Sequence, residues 1–238
     1  FGTACPGRLL FGAEVTDAVQ TGQGVEVSVQ TAEGVQRISA DYVVACDGGR
    51  SPMRERLGIA MEGETYAQDW IVLDSLNDPD QDPRSKFFCS SARPAVSVPA
   101  PRGGRRYEFM LLPGETREEA LSTPFLRSLL APYRPWREED VLRRTVYTFH
   151  ARMAARWREG RIFLAGDAAH LTPPFAGQGM NAGLRDATNL AWKLAAMLKT
   201  EAPEALAASY EAERRGPAED MIRLAVAMGS IVMPGNAA

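Results

Sequence analysis

Residues 161–181 constrain this chain more than any other segment. Arg161-Ile162-Phe163-Leu164-Ala165 is a short apolar burst with the length and content of a strand buried on both faces. It runs into Gly166-Asp167-Ala168-Ala169-His170, then Pro173-Pro174 and Gly177-Gln178-Gly179, a loop of small and rigid residues. A helix is expected over 180–199, with Leu184, Ala187, Ala191, Leu194 and Leu198 at i, i+3, i+4 spacing as its core-facing stripe. A loop leaving the carboxyl end of a buried strand is where open α/β sheets hold ligands. The Asp167 carboxylate emerges at that tip, where it can accept two hydrogen bonds from a vicinal diol, as on a ribose or ribityl chain. Gly177 and Gly179 let the backbone approach a flat ligand, with no Cβ in the way. The N–H groups of Gly179, Met180 and Asn181 open the helix and present partial positive charge to anything electron-rich in front of them.

Gly177-x-Gly179-x-x-Ala182 also matches the dinucleotide fingerprint as a pattern, but that fingerprint needs its first glycine directly after a strand. Here the Pro-bearing loop intervenes, so no pyrophosphate site is expected at Gly177. A second strand-to-loop junction lies upstream. Residues 35–45 end in the apolar run Tyr42-Val43-Val44-Ala45 and pass through Cys46 into Asp47-Gly48-Gly49. Before it, weak alternation over 14–20 and strict alternation of Val25, Val27 and Val29 predict two more strands.

Residues 66–150 have a different texture. Strands are expected at 70–73, 86–89, 95–98, 105–112 and 141–149, with a hairpin turn at Arg102-Gly103-Gly104. A helix is expected over 118–133, with Leu121, Phe125 and Leu129 on one face and a break at Pro124. A last helical stretch, 204–233, should break or kink at Gly216-Pro217. The fold class is α/β with an α+β insertion, a mainly antiparallel sheet set into an α/β part. Residues 1–66 and 151–200 form the α/β part, 67–150 the inserted sheet and 201–238 a C-terminal helical segment.

Composition narrows the function classes. With 27 Lys+Arg against 30 Asp+Glu the formal charge is −3, and no long basic run is present, which disfavours nucleic acid as a partner. An apolar content of 45% argues against disorder. No apolar run reaches the ~20 residues of a membrane span. The three cysteines, Cys5, Cys46 and Cys89, have neither disulfide-framework nor zinc-ribbon spacing and read as buried, reduced thiols of a cytoplasmic protein. Only two histidines are present, so a histidine-based metal site is not expected. The chain opens on Phe1, in mid-pattern, and reads as a piece of a longer protein.

Gly166-Asp167 with Pro173-Pro174 and Gly177-x-Gly179-Met180-Asn181 resembles the second flavin-binding motif of class A flavoprotein aromatic hydroxylases, the p-hydroxybenzoate hydroxylase family. Residues 46–54, Cys-Asp-Gly-Gly-Arg-Ser-Pro-Met-Arg, resemble that family's DG motif, associated with FAD and NAD(P)H. The stretches 105–115 and 210–215 are similar to the 3-(3-hydroxyphenyl)propionate hydroxylase branch. The resemblance covers essentially the whole chain and implies part of an FAD/NAD(P)-binding domain carrying a substrate-domain sheet. The family's N-terminal βαβ unit with GxGxxG is absent from this sequence. The implied activity is FAD- and NAD(P)H-dependent hydroxylation of a phenolic aromatic acid by O₂, in aromatic compound catabolism. The partner is a small aromatic substrate, and the resemblance allows a homodimer.

By the resemblance, Asp47, Gly48, Arg54, Gly166, Asp167, Ala168, Gly177, Gly179, Met180 and Asn181 contact the cofactors, and Pro174 lines the flavin where oxygen reacts. The bland alternatives are a helix-capping Asp167, a local Asp47–Arg54 pair closing a turn and a rigid turn at Pro174. His170 is expected to be structural, hydrogen-bonded under the loop. Arg105 and Arg106 could clamp a substrate carboxylate but should be solvated hairpin-end residues, and Trp70, Phe109, Met110 and Phe149 should be plain sheet core. A catalytically inert apo fragment, or a non-hydroxylating reductase or halogenase of the same fold, are the alternative readings.

Overall fold

A computed structural model describes residues 7–199 and 203–234. In chain order the strands are β1 (Glu14–Gln20), β2 (Val25–Thr31), β3 (Gly34–Ala40), β4 (Val43–Ala45), β5 (Met61–Ser75), β6 (Lys86–Phe88), β7 (Ala95–Ala100), β8 (Gly104–Met110), β9 (Val141–Ala154), β10 (Arg158–Glu159) and β11 (Ile162–Leu164). The helices are α1 (Pro52–Arg56), α2 (Arg117–Ala120), α3 (Thr123–Leu130), α4 (Gly179–Met197) and α5 (Pro203–Val232). The chain divides into two compact units. Among the described residues no helix is long and apolar enough to cross a membrane.

The first unit comprises Phe1–Met61, Ala154–His170 and Ala182–Arg215. Its meander β1-β2-β3 is antiparallel, with the alternating Val25, Val27 and Val29 buried as their period demands. The apolar runs found in the sequence pair as a parallel ladder, β4 on β11, with Val43 opposite Ile162 and Ala45 opposite Leu164. Ile162, Phe163 and Leu164 are fully buried, and the Tyr210 hydroxyl of α5 donates to the Leu164 carbonyl at 2.9 Å. Burial pushes that phenol far above its usual range, so it stays a donor.

Helix α4 forms where expected, but its buried face is a different one. Ala182, Asp186, Leu190, Lys193 and Met197 are buried, whereas Leu184 and Leu198 are each 58% exposed. The cause is charge pairing with α5. Arg214 donates to Asp186 at 3.0 Å and Lys193 pairs with Glu213 at 2.9 Å, so two charged residues occupy the buried seam and the leucine stripe turns out. The expected break at Gly216-Pro217 is also absent, and α5 runs on through Pro217. Proline removes one helix bond, to the Glu213 carbonyl, but both residues are exposed and water can serve that carbonyl. Cys46 and Cys89 are free and exposed rather than buried, because each follows the end of a short strand. Cys5 lies outside the described residues.

The second unit comprises Glu62–Met153, Leu171–Asn181 and Gly216–Ala238, and its sheet runs β9-β5-β8-β7-β6. The period of two sorts the side chains. Ile71, Leu73, Tyr107, Phe109 and Leu111 face Leu126 and Leu130 of α3. Trp70, Met110 and Phe149 face the other way, onto Phe175 and the end of α5. The helical segment breaks between α2 and α3, with Pro124 in the first turn of α3. The β7–β8 hairpin turns at Arg102 and Gly103, both at positive φ (60° and 67°), the pattern of a type I′ turn. Strand β5 is far longer than the apolar stretch expected, because 61–69 is exposed to half-buried and carries no apolar alternation.

Buried arginines organise this unit. Arg105 is not a solvated hairpin end. It is fully buried, donating through Nε to Ser97 Oγ at 2.8 Å and through its other nitrogens to the Asp82 and Arg84 carbonyls at 3.0–3.1 Å. With its donors spent on that loop, it has no free fork for a substrate carboxylate. Arg134 donates to the Leu76 carbonyl at 2.8 Å, Asp78 Oδ2 at 3.2 Å and Asp140 Oδ2 at 2.6 Å. Tyr107 donates its hydroxyl to the same Asp78 carboxylate at 3.1 Å.

Candidate functional site

The parallel β4–β11 pair sets the geometry in the first unit. Both strands point the same way, so the two loops that follow them leave from the same end of the sheet. The Ala165 N–H donates to the Ala45 carbonyl at 3.0 Å, which extends the pairing to the last residue before each loop. One loop carries Asp47 and the other Asp167, and both residues are exposed. The structure therefore brings Asp47 and Asp167 to one sheet end.

The Asp47 loop closes on itself. Gly48 takes φ +84°, which only glycine adopts readily, and Asp47 Oδ2 accepts the Met53 N–H at 3.0 Å. Ser51 caps α1 by accepting the Arg54 N–H at 2.9 Å. Arg54 is buried and donates to the Gly49 carbonyl at 2.9 Å. The turn is thus closed by the Met53 and Arg54 N–H groups and by the Arg54 guanidinium on the Gly49 carbonyl, with no direct Asp47–Arg54 pair as the bland reading had it. The ion-pair contact of Arg54 is Glu55, at 3.4 Å.

The Asp167 loop begins as a 3₁₀ turn, Gly166–Ala168, with Gly166 at φ +59°. No side chain makes a cap hydrogen bond there, so Asp167 is not the capping residue of the bland alternative. Ala168 is fully buried beneath the turn. Gly166 lies so near α4 that a Cβ on Gly183 would meet the Gly166 Cα at 3.2 Å. A buried carboxylate locks this arrangement. Asp186 accepts the Gly166 N–H at 3.1 Å and His170 Nε2–H at 2.6 Å on Oδ2, and Arg214 Nε–H at 3.0 Å on Oδ1. His170 is buried, with its ring 5.1 Å from that of Trp157, the structural placement expected of it. Sequence reasoning missed Asp186, Arg214 and Gly183. The available signal was the 4, 4, 3, 4 spacing of Ala182, Asp186, Leu190, Lys193 and Met197, a helical face passed over because two of its members are charged.

The rest of the loop belongs to the second unit. Pro174–Ala176 is another 3₁₀ turn, closed by Gly177 at φ +62°, whose N–H donates to the Pro174 carbonyl at 2.8 Å. Pro174 is exposed, while its neighbour Phe175 is buried in an aromatic cluster. The Phe175 ring lies 5.8 Å from Trp70 and 5.5 Å from Phe149, edge-on to both. Burying Phe175 is what turns Pro174 outward. Helix α4 then opens at Gly179-Met180-Asn181, whose N–H groups have no partner within the helix. Met180 is 77% exposed, and no atom lies within 4 Å of where a Gly179 Cβ would be, so open space surrounds the helix start.

Each unit by itself carries features that fit a flavin on chemical grounds: in the first, an exposed carboxylate for hydroxyls; in the second, N–H groups without an intrahelical partner and glycine where a ring must come close. If Asp167 accepts hydrogen bonds from the cofactor's sugar chain, Asp167→Ala should weaken FAD binding about ten- to hundredfold, the worth of a charge-assisted hydrogen bond. Titration of the apoprotein with FAD reads this. Since Asp167 is exposed, its unfolding midpoint should stay within about 0.5 kcal/mol of the wild type.

Comparison with known proteins gives a consistent picture. The model of a family described as "FAD binding domain" matches residues 3–225. The 3-(3-hydroxy-phenyl)propionate/3-hydroxycinnamic acid hydroxylases of Mycolicibacterium smegmatis and Klebsiella pneumoniae are 43% and 46% identical over 230 residues, 96% and 95% of this chain. The chain covers 41% of each of these relatives, so it spans about two fifths of their length. Among solved structures, aklavinone-11 hydroxylase in complex with FAD and aklavinone matches 94% of this chain and 45% of its own, at TM-score 0.85 and 28% identity. The p-nitrophenol 4-monooxygenase of Pseudomonas putida matches 94% of this chain and 58% of its own, at TM-score 0.84 and 26% identity.

Proposed function

Because this chain belongs to the FAD binding domain family, we propose that it is part of an FAD- and NAD(P)H-dependent monooxygenase that hydroxylates a phenolic aromatic acid with O₂. The observation that carries the reading is the parallel β4–β11 pair delivering Asp47 and Asp167 from one sheet end. The names of its curated relatives support the substrate class, a 3-(3-hydroxyphenyl)propionate-like acid. In this reading residues 1–66 and 151–200 contribute to the FAD-binding domain, 67–150 form the substrate-binding sheet and 201–238 a helical segment.

Each site residue then has a role in holding the cofactor. Asp167 accepts hydrogen bonds from the flavin's sugar-chain hydroxyls, on a turn shaped by Gly166 and Ala168. The N–H groups of Gly179, Met180 and Asn181 face the electron-rich pyrimidine edge of the ring, and Gly177 and Gly179 permit its close approach. Pro174 lines the ring beside the reacting carbon. Asp47, Gly48 and Arg54 belong to the loop that serves FAD and NAD(P)H. When bound, the flavin supplies the electron transfer and the oxygen chemistry. The chain's residues bind, orient and exclude water, which accounts for the lack of a nucleophile–base pair in its motifs.

The experiment is NAD(P)H consumption by the intact protein with and without 3-(3-hydroxyphenyl)propionate. The expected result is stimulation by the phenolic acid and a product carrying one more hydroxyl. Equal rates with and without it would defeat the reading.

A further inference from the structure

Glu108 lies mid-sheet in the second unit, on β8, directly across from Val72 of β5 and Val96 of β7. The same face carries Trp70, Met110 and Phe149, with Phe175 packed on them. A carboxyl group is out of keeping with those neighbours. Its side chain is only 13% exposed, and its ion-pair contact is Arg106, at 4.0 Å. Arg106 is already engaged, holding Asp74 through two nitrogens at 2.6 and 3.0 Å. Tyr147 alternates with Phe149 on β9 and so shares this face. Among the described residues, Arg106 and Asp74 act on the Glu108 charge, and Tyr147 acts on Arg106. Burial pushes the Glu108 carboxyl above its ordinary range, with Arg106 drawing it back and Asp74 pushing it further.

Its cross-strand neighbours, Val72 and Val96, are apolar, and an apolar side chain would bury beside them at lower cost. We propose that Glu108 recognises the ring hydroxyl of an aromatic substrate, accepting a hydrogen bond from it. This rests on the hydroxylase reading and adds the group that selects phenols within that substrate class. The chemistry favours a hydroxyl over a carboxylate as the ligand. Glu108 repels an anion, and the Arg106 charge is offset by Asp74. The contact is strongest to the ionised carboxylate, so it is full above the raised pKa and weakens as pH falls through it.

The test uses the intact flavoprotein and two probes, 3-(3-hydroxyphenyl)propionate and its deoxy analogue 3-phenylpropionate, with binding read from perturbation of the oxidised flavin spectrum. The wild type should prefer the hydroxylated probe about ten- to hundredfold, and Glu108→Gln should cut that ratio to within about threefold. Glu108→Asp, which keeps the charge but withdraws it by one methylene, should retain part of the preference. Acidification should weaken only the hydroxylated probe. A merely structural Glu108 would alter both affinities alike and leave their ratio unchanged. An unchanged ratio in Glu108→Gln, with a discriminating wild type, overturns this inference alone. A wild type that binds neither probe overturns the hydroxylase reading and this inference with it.

Discussion

Asp186→Ala should lose about 3–5 kcal/mol of stability, the cost of stranding a buried partner charge. Asp186 is fully buried and serves three donors from two segments: the Gly166 N–H and His170 of one loop, and Arg214 of α5. Removing it leaves the largely buried Arg214 guanidinium without its carboxylate and two further donors unpaired. Asp186→Asn keeps the shape and one acceptor oxygen and should lose roughly half as much. Equilibrium denaturation reads both. The Gly166–Asp167 turn hangs on the same carboxylate, so Asp186→Ala should also weaken FAD binding without Asp186 touching the cofactor. A variant with wild-type stability and wild-type FAD affinity would show that the turn is held by its glycines alone.

Arg134→Ala should be comparably severe in the second unit, about 3–5 kcal/mol by the same argument. Arg134 lies between Asp78 and Asp140, and all three side chains are nearly fully buried. Without it, Asp78 keeps only the Tyr107 hydroxyl among its side-chain donors. Burial, with the Asp78 charge adding to it, already raises the Tyr107 phenol well above its usual range. Arg134→Lys should recover only part of the loss, because an ammonium cannot reach both carboxylates and the Leu76 carbonyl with the geometry of a planar fork. The effect should be confined to stability, with FAD affinity per folded molecule unchanged. A destabilisation below about 1 kcal/mol would mean that water enters and serves both carboxylates.

The contrast between these two clusters explains what the sequence made legible. The Asp47 and Asp167 loops stood out because apolar runs stop abruptly at glycine and aspartate; the runs read as strands buried on both faces, but that they pair with each other is seen only in the structure. The Phe175 anchor was not legible, since one aromatic residue in a loop shows nothing of the Trp70–Phe149 cluster that receives it. Asp186, Arg134 and Arg105 were missed or misread for one shared reason. Hydrophobic periodicity treats charge as an outward marker, and here paired charges face inward. The rotation of α4 follows from the same cause: its leucine stripe was the stronger pattern, but the partners for Asp186 and Lys193 sit on α5, far along the chain. Strand length failed differently, because the exposed half of β5 is held by neighbouring strands and not by its own composition.

The most direct test of the central claim is incorporation of ¹⁸O from labelled O₂ when the intact protein turns over 3-(3-hydroxyphenyl)propionate with NAD(P)H. The account predicts a ring-hydroxylated product carrying a single ¹⁸O atom, and loss of that product in a protein stripped of FAD. NAD(P)H consumption that yields only hydrogen peroxide, with no labelled aromatic product, would contradict it.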